Sequence, residues 1–186
     1  MQTGYMLLDT SVVSAARGKA PEETVARFLR SLPRGSIAVP TFTVFELERG
    51  VRKLQLVDGE RARPLLDWLE DLLATDIFIP PVTVDIWRLL ARMALVPALS
   101  KFWIDTGDPP KMRFGCDPGL AAIAIHYGMP IATRDVRDFM LIHHHFPLPG
   151  LYEPHSCRWH IEPTTEWRSS FEAEASDDIR AAGYFS

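Results

Sequence analysis

Short apolar runs alternate with helical patterns along this chain, and this alternation limits the possible folds more than any other feature. The short runs predict buried strands, each stopped by a turn signal, at 5–8, 36–39, 77–79 and 130–133. The segments with apolar residues at helical spacing are 21–32, 41–57, 60–74, 82–99 and 117–127. Strands that alternate with helices predict an α/β fold in which a parallel sheet is covered by helices on both faces.

Length and composition indicate one domain in a reducing compartment. The chain has 186 residues, 47% of them apolar, which suits one domain with a sizeable core. We expect a compact domain over 1–152 and a polar, acidic extension over 153–186. We expect no export signal, because the start lacks a basic run followed by a long apolar stretch, and no segment approaches the roughly 20 apolar residues of a membrane span. We therefore expect a cytoplasmic protein in which Cys116 and Cys157 are reduced thiols without zinc.

The negative charge of the chain is concentrated in the predicted extension. The whole chain carries a net charge of −4, and segment 153–186 alone has three arginines and seven acids. The rest of the chain is therefore neutral overall. Divalent cations bound to some of its acids would make the surface mildly positive. This distribution permits a nucleic-acid substrate without requiring one.

Four acids fall where a parallel sheet would bring them together. Asp9 follows the first predicted strand and Asp135 follows the fourth, whereas Glu46 and Asp117 lie near the starts of two helices. Ligands of such sheets bind in the crevice beyond the carboxyl ends of the strands. Clustered carboxylates repel one another unless cations lie among them. Because oxygen ligands suit magnesium or manganese better than zinc, the pattern predicts a Mg²⁺ or Mn²⁺ site.

Each of these acids also has a purely structural interpretation. Asp117 followed by Pro118 is typical of a helix start, and Glu46 fits the last position of a capping box that begins at Thr43. Asp135 could cap a turn over 136–139, and Asp9 could start a turn. The metal interpretation is favoured because independent caps have no reason to share one edge of one sheet.

The motifs around these acids resemble those of the PIN domain family. They are Leu-Leu-Asp-Thr-Ser-Val-Val-Ser at 7–14, Thr-Val-Phe-Glu-Leu-Glu-Arg-Gly at 43–50, Asp117 at the start of an alanine-rich helix, and Ala-Thr-Arg-Asp-Val-Arg-Asp-Phe at 132–139. Within the family the chain is most similar to VapC-type toxins of bacterial toxin–antitoxin pairs. The resemblance covers about 4–152. It departs from the family in a longer stretch over 97–116 and in the extra tail.

The resemblance implies a three-layer α/β/α fold around a central parallel sheet of four or five strands. It further implies a Mg²⁺- or Mn²⁺-dependent endoribonuclease that forms a homodimer, cleaves RNA and is inhibited by a cognate antitoxin protein. The four acids would hold one or two metal ions. Thr10 and Thr133 would orient the carboxylates or touch the substrate phosphate. Arg134 would clamp a phosphate oxygen, although an exposed structural arginine fits equally well.

Other interpretations remain open at this point. A catalytically silent PIN-like module that binds RNA or protein would be expected to lose acids, and all four are present. A metal-dependent phosphatase would need a nucleophilic aspartate motif and a phosphate-binding lysine, and neither is evident.

Three weaker features have simpler structural explanations. The cationic and aromatic residues of 101–103 and 111–114 resemble single-strand binding surfaces, but core packing or a subunit contact is favoured. The histidines at 143–145 are expected in a solvated loop. The apolar stripe over 65–73 is expected to be core, and its surplus is a candidate face for the dimer or the antitoxin.

Overall fold

The computed structural model describes residues 4–17, 22–105 and 111–176. The middle of the predicted irregular stretch, 106–110, and the end of the acidic extension, 177–186, lie outside these residues. The strands are β1 (Met6–Leu8), β2 (Ile37–Ala38), β3 (Ile104–Asp105), β4 (Lys111–Met112), β5 (Ile131–Ala132), β6 (Leu151–Glu153) and β7 (Arg158–Ile161). The α-helices are α1 (Thr10–Ala15), α2 (Glu23–Ser31), α3 (Thr41–Gln55), α4 (Gly59–Leu73), α5 (Val84–Ala94), α6 (Cys116–Tyr127), α7 (Val136–His145) and α8 (Thr165–Ser176).

A five-stranded sheet in the order β2-β1-β5-β6-β7 lies at the centre of the fold. All neighbouring strands are parallel except β7, which pairs antiparallel with β6. The predicted strand at 77–79 is reduced to one bridge, in which Phe78 pairs with Ala38 at the sheet edge. Pro80 and Pro81 follow at once, and proline cannot donate to a ladder of backbone hydrogen bonds. The predicted α/β fold with a mainly parallel sheet is confirmed.

Alternate residues of each strand enter two separate cores, one on each face of the sheet. In β1, Leu7 packs with α5 and α6, whereas Met6 and Leu8 pack with α1, α2 and α4. This alternation follows from the period of two along a strand. The two cores confirm the three-layer α/β/α arrangement. No helix in the described part of the chain has the length and apolar character needed to cross a membrane.

Helix α6 is the most deeply buried helix of the fold, because its residues are small. Residues 120–124 are fully enclosed, and Gly119 lies against the ring of Phe42. A Cβ atom at position 119 would come within 2.5 Å of that ring. The close approach of α6 to α3 therefore requires a glycine here, and it brings the start of α6 next to the middle of α3.

Two predictions about the extent of the helices are wrong. The helix predicted over 82–99 ends at Ala94, and a 3₁₀ helix follows over Pro97–Phe102. Pro97 disfavours the helical conformation of Val96, which is extended. The histidines at 143–145 form the last turn of α7 instead of a loop, because Phe139 and Ile142 continue a buried helical face. The predicted turn over 136–139 is thus the first part of a longer helix.

The stripe predicted over 65–73 lies on α4 and faces the core, as expected. Leu69 and Leu72 are fully buried, and the other large apolar side chains of the stripe are half-buried. The most exposed apolar side chains lie elsewhere, at Leu56 and Val57 after α3 and at Leu95 after α5.

Segment 153–176 contains more regular secondary structure than its polar composition predicts. It forms β7 and α8, and the Trp167 side chain of α8 is only 4% exposed. The indole Nε1 of Trp167 donates a hydrogen bond to the carbonyl oxygen of Tyr5 at 2.9 Å, beside β1. The ring of Trp167 also stacks on Phe171. One large aromatic side chain therefore anchors this part of the extension to the core.

We predict that Trp167→Ala lowers the free energy of unfolding by about 3–5 kcal/mol, because it removes a buried aromatic side chain and leaves a cavity. Trp87→Ala is the matched control, because Trp87 is 51% exposed. We expect the control to cost about 1 kcal/mol or less. Urea denaturation of both variants measures the difference. Equal stability of the two variants would show that α8 does not contribute to the core.

Candidate active site

Asp9 is a buried carboxylate held by four donors at the end of β1. Its side chain caps α1, because Oδ1 accepts from the amide of Thr10 at 2.7 Å. Its Oδ2 accepts from the hydroxyl of Ser11 at 2.6 Å, from the Ser11 amide at 3.4 Å and from the hydroxyl of Thr133 at 2.8 Å. Only 3% of Asp9 is exposed. Burial raises the pKa of Asp9 despite these hydrogen bonds, so its negative charge is not fully offset by the protein.

Thr133 connects the ends of two neighbouring strands. Its buried hydroxyl donates to Asp9, and it also accepts a hydrogen bond from the amide of Asp135 at 2.9 Å. The end of β5 is thereby held to the end of β1. Asp135 itself is exposed at the N-terminus of α7, and its side chain makes no capping hydrogen bond to the helix. The interpretation of Asp135 as a side-chain cap is therefore wrong.

Glu46 is held from α1 and does not belong to a capping box. The hydroxyl of Thr10 donates to Oε2 of Glu46 at 2.6 Å. Helix α3 begins at Thr41 after Pro40, two residues before the predicted cap at Thr43. Thr43 instead donates to the carbonyl oxygen of Leu8 at 3.1 Å. The structural alternative for Glu46 is excluded, because the carboxylate is already in the second turn of the helix and points towards α1.

Asp117 is a half-buried carboxylate to which no described side chain donates a hydrogen bond. Helix α6 begins one residue earlier than predicted, at Cys116, after Gly115 in the left-handed conformation. Asp117 is therefore inside the first turn and is not the cap, and Pro118 is tolerated there because the first amides of a helix have no helical partner. Burial raises the pKa of Asp117 to about 7, and repulsion from Asp9 and then Glu46 adds to this.

A cleft of about 630 Å³ opens beside these acids. Glu46 and Asp117 line it, whereas Asp9 lies deeper and Asp135 lies outside the lining. The remaining lining residues are Phe45, Arg49, Lys101, Phe102, Asp105, Arg113, Phe114, Gly115, Cys116 and Asp138. The cleft therefore combines carboxylates with cationic and aromatic side chains at the carboxyl edge of the sheet.

The donor set fits a hard divalent cation. All four predicted ligands offer carboxylate oxygens, and Asp117 has no other partner among the described residues. Within the described residues, no three His, Cys, Asp or Glu side chains already stand close enough to enclose a metal ion. Like charges of this kind repel one another, and an ion between them would offset that repulsion. The arrangement is thus an acidic cluster open to a cation, in which the ligand roles of the four acids stay a prediction.

The part of the chain that contains the four acids matches the sequence model of a known protein family. The model of the PIN domain matches residues 6–140, which includes all four acids. The chain belongs to the PIN domain family. No curated protein sequence matches the chain significantly.

Solved structures with this PIN fold belong to FitAB and VapBC complexes. FitAB bound to the IR36 DNA fragment is 25% identical, covering 84% of this chain and 97% of that one with a TM-score of 0.58. FitAcB from Neisseria gonorrhoeae is 26% identical, covering 73% and 91% of the two chains with a TM-score of 0.54. VapBC2 from Rickettsia felis, bound to a DNA fragment from its promoter, is 17% identical and covers 83% and 98% with a TM-score of 0.56. The last shows similarity of fold alone.

Two residues near the acids, Asp138 and Lys101, are not among the site residues predicted from the sequence. Asp138 lies one helical turn after Asp135 and contributes to the repulsion that raises the pKa of Asp117. Lys101, from the 3₁₀ helix of the longer stretch, pairs with Asp138 at 2.5 Å. The spacing of three residues between the two aspartates places both near the start of α7, and this spacing is visible in the sequence. The position of Lys101 cannot be predicted from the sequence, because it depends on how the longer stretch over 97–116 folds.

Arg134 is engaged with another acid of the PIN domain. Its guanidinium lies 3.2 Å from Oε2 of Glu22, and its backbone amide donates to the hydroxyl of Ser11. His155 approaches the other carboxylate oxygen of Glu22 at 2.7 Å. A phosphate bound to Arg134 would therefore have to compete with Glu22.

We predict that the metal-free PIN domain loses stability as the pH rises, because the folded pKa of Asp117 lies above its unfolded value. The stabilising contribution of the protonated form is fully present below pH 3.8 and is lost as the pH rises through about 7. Asp117→Asn removes this contribution, so its melting temperature in EDTA should fall less between pH 5 and pH 8 than that of the wild type. Asp85→Asn, an exposed acid on α5, is the control. An identical fall in all three proteins would contradict the burial of this charge.

Proposed function

We propose that this chain is a Mg²⁺- or Mn²⁺-dependent endoribonuclease and the toxin of a cytoplasmic toxin–antitoxin pair. The observation that supports this most strongly is the uncompensated carboxylate of Asp117 beside Asp9 and Glu46 at the carboxyl edge of the sheet. A structural acid would be expected to have a hydrogen-bonding partner when half-buried. An acid reserved for a cation would not, and membership of the PIN family agrees with that role.

The free oxygen atoms indicate which groups would hold the metal. Oδ2 of Asp9 accepts from three donor groups, whereas Oδ1 accepts from one and keeps capacity for a cation. The Thr10 hydroxyl donates to Oε2 of Glu46, and the Cys116 thiol also lies within hydrogen-bonding reach of this carboxylate. Neither oxygen of Asp117 accepts a hydrogen bond from the described residues, and Asp135 would join directly or through water. When bound, the cation polarises the phosphate and lowers the pKa of the attacking water.

The chain itself contributes positioning and charge. Thr133 fixes the orientation of Asp9, and Thr10 does the same for Glu46, so that both carboxylates are held before a substrate arrives. Arg49 and Lys101 line the same cleft and can attract a phosphate. In the hydrolysis, the water oxygen bonds to phosphorus while the 3′-oxygen leaves and takes up a proton. The products carry 5′-phosphate and 3′-hydroxyl ends.

The proposed partner is a co-expressed antitoxin, and the proposed assembly is a homodimer. The similarity to FitAB, at 25–26% identity, supports a protein partner. Exposed apolar side chains at Leu56, Val57 and Leu95 provide surface for such contacts. Burial of these side chains against another chain would remove apolar area from water.

We predict that the wild type cleaves RNA with Mg²⁺ or Mn²⁺, and that EDTA or Asp117→Asn abolishes the cleavage. Asp117 is a better test than Asp9, because replacement of Asp9 also removes the cap of α1 and its bond to Thr133. Asp117→Asn removes a charge without removing a hydrogen bond between described residues. The measurement is gel analysis of labelled RNA with protein purified in parallel for all variants.

Cleavage by Asp117→Asn at the wild-type rate would rule out the proposed site. Binding of RNA without cleavage by any variant, the wild type included, would instead identify a catalytically silent module.

The second prediction for the reaction compares two glutamates on the same helix. Glu46→Gln should reduce turnover by more than about tenfold, because an amide cannot supply the negative charge of a ligand. Its melting temperature without metal should hold or rise, since repulsion among the acids is relieved. Glu48→Gln is the control, because Glu48 pairs with Arg52 on the outside of α3. Near-normal cleavage by Glu46→Gln at limiting Mg²⁺ would remove Glu46 from the site.

A further inference from the structure

Two exposed phenylalanines face each other in the cleft next to the acids. The ring centroids of Phe45 and Phe114 are 4.7 Å apart, and the rings are tilted by 43°. Phe45 is 39% exposed and Phe114 is 51% exposed, although both are large apolar side chains. The sequence interpretation placed the aromatics of 101–103 and 111–114 in packing contacts. Phe102 is buried, as core packing requires, whereas Phe114 is exposed on this chain.

The pair is fixed in position by the core beneath it. Phe114 also packs against Phe42, with ring centroids 5.9 Å apart, and Phe42 is only 4% exposed. Phe42 in turn lies against Gly119 of α6. The exposed rings are therefore held in place before any ligand binds, which reduces the ordering cost of binding.

The position of the pair links it to the proposed reaction. Phe45 directly precedes Glu46 on α3, and Phe114 lies three residues before Asp117. All four residues line the same cleft. A flat group stacked on these rings would therefore lie next to the acids.

Cationic side chains of the same cleft indicate the charge of the ligand. Arg49 lies on α3 one turn after Phe45 and pairs with no carboxylate among the described residues. Lys101 and Arg113 also line the cleft, paired with Asp138 and Asp105 respectively. An aromatic platform beside an unpaired arginine matches an unpaired base that is joined to a phosphate.

We propose that Phe45 and Phe114 form a stacking site for an unpaired base of single-stranded RNA, with Arg49 bound to an adjacent phosphate. The assignment of RNA, in preference to another nucleic acid, rests on the proposed function. The bases of a duplex are enclosed between their neighbours, so only an unstacked base can reach these rings. The site therefore selects single-stranded or looped RNA near the cleavage point.

The test compares RNA with a strand of the same length that lacks bases. Labelled strands of about twelve nucleotides are titrated by fluorescence anisotropy with Asp117→Asn protein in EDTA, which prevents cleavage and lowers the negative charge of the cleft. Protein with both phenylalanines should bind the RNA on the order of tenfold more tightly than the abasic strand. Phe114→Leu keeps an apolar side chain but removes the ring. The ratio of the two affinities should therefore fall close to one, which means no preference for RNA. Phe114→Tyr should retain it.

Trp87→Ala is the matched control. Trp87 is also 51% exposed and also packs against Phe42, but it does not line the cleft. This variant should keep the preference for bases. Arg49→Gln should weaken binding of both strands alike and reduce the slope of log affinity against log salt by about 0.7, because one phosphate contact is lost.

The outcomes separate this proposal from the proposed function. Cleavage of RNA by the wild type without any preference for bases would overturn the stacking site and leave the nuclease intact. If the wild type did not cleave RNA but preferred strands with bases in a way that depends on Phe114, the stacking site would be supported and the proposed nuclease activity would be wrong. If Phe114→Leu weakened only the complex with the co-expressed antitoxin, the surface would belong to that partner and the proposal would be wrong.

Discussion

The hydrogen bond from Thr133 to Asp9 joins two strands that are separated by most of the chain. It lies at the carboxyl ends of β1 and β5, where both backbones leave the sheet. The same Thr133 hydroxyl also accepts a hydrogen bond from the amide of Asp135. Asp9 in turn caps the start of α1. Because Thr10 of α1 then donates to Glu46 of α3, one continuous set of contacts connects β1, β5, α1 and α3 around the cleft. The orientation of the Asp9 and Glu46 carboxylates depends on this network.

The same network leaves an electrostatic cost at its centre. Asp9 receives several hydrogen bonds and still has a raised pKa, because burial removes water from its charge. Asp117 receives none from the described residues, and its pKa rises to about 7. A fold optimised only for stability would replace such a carboxylate or give it a partner. The cation that we propose would offset the repulsion among Asp117, Asp9 and Glu46.

The parallel sheet and the positions of the acids could be predicted from the sequence because both follow from local patterns. Asp9 lies next to an apolar strand, and Asp117 lies at the start of a small-residue helix. Helix α8 could not be predicted, since its attachment depends mainly on Trp167 reaching Tyr5, far away in the chain. The contact between Phe114 and Phe45 could not be predicted for the same reason, because Phe45 lies on α3, far away in the chain. Local patterns reveal which residues can serve a site, whereas tertiary contacts decide which of them face it.

The central claim is that the acids bind a divalent cation, and calorimetric titration with Mn²⁺ tests it without reference to catalysis. The wild type, Asp117→Asn and Glu48→Gln would be titrated at pH 7.5, above the pKa of Asp117 of about 7. We expect the wild type and Glu48→Gln to bind Mn²⁺ with equal affinity, and Asp117→Asn to bind at least about tenfold more weakly, because a charged ligand is lost. Equal affinity of all three proteins, or no binding by the wild type, would contradict this account of the site.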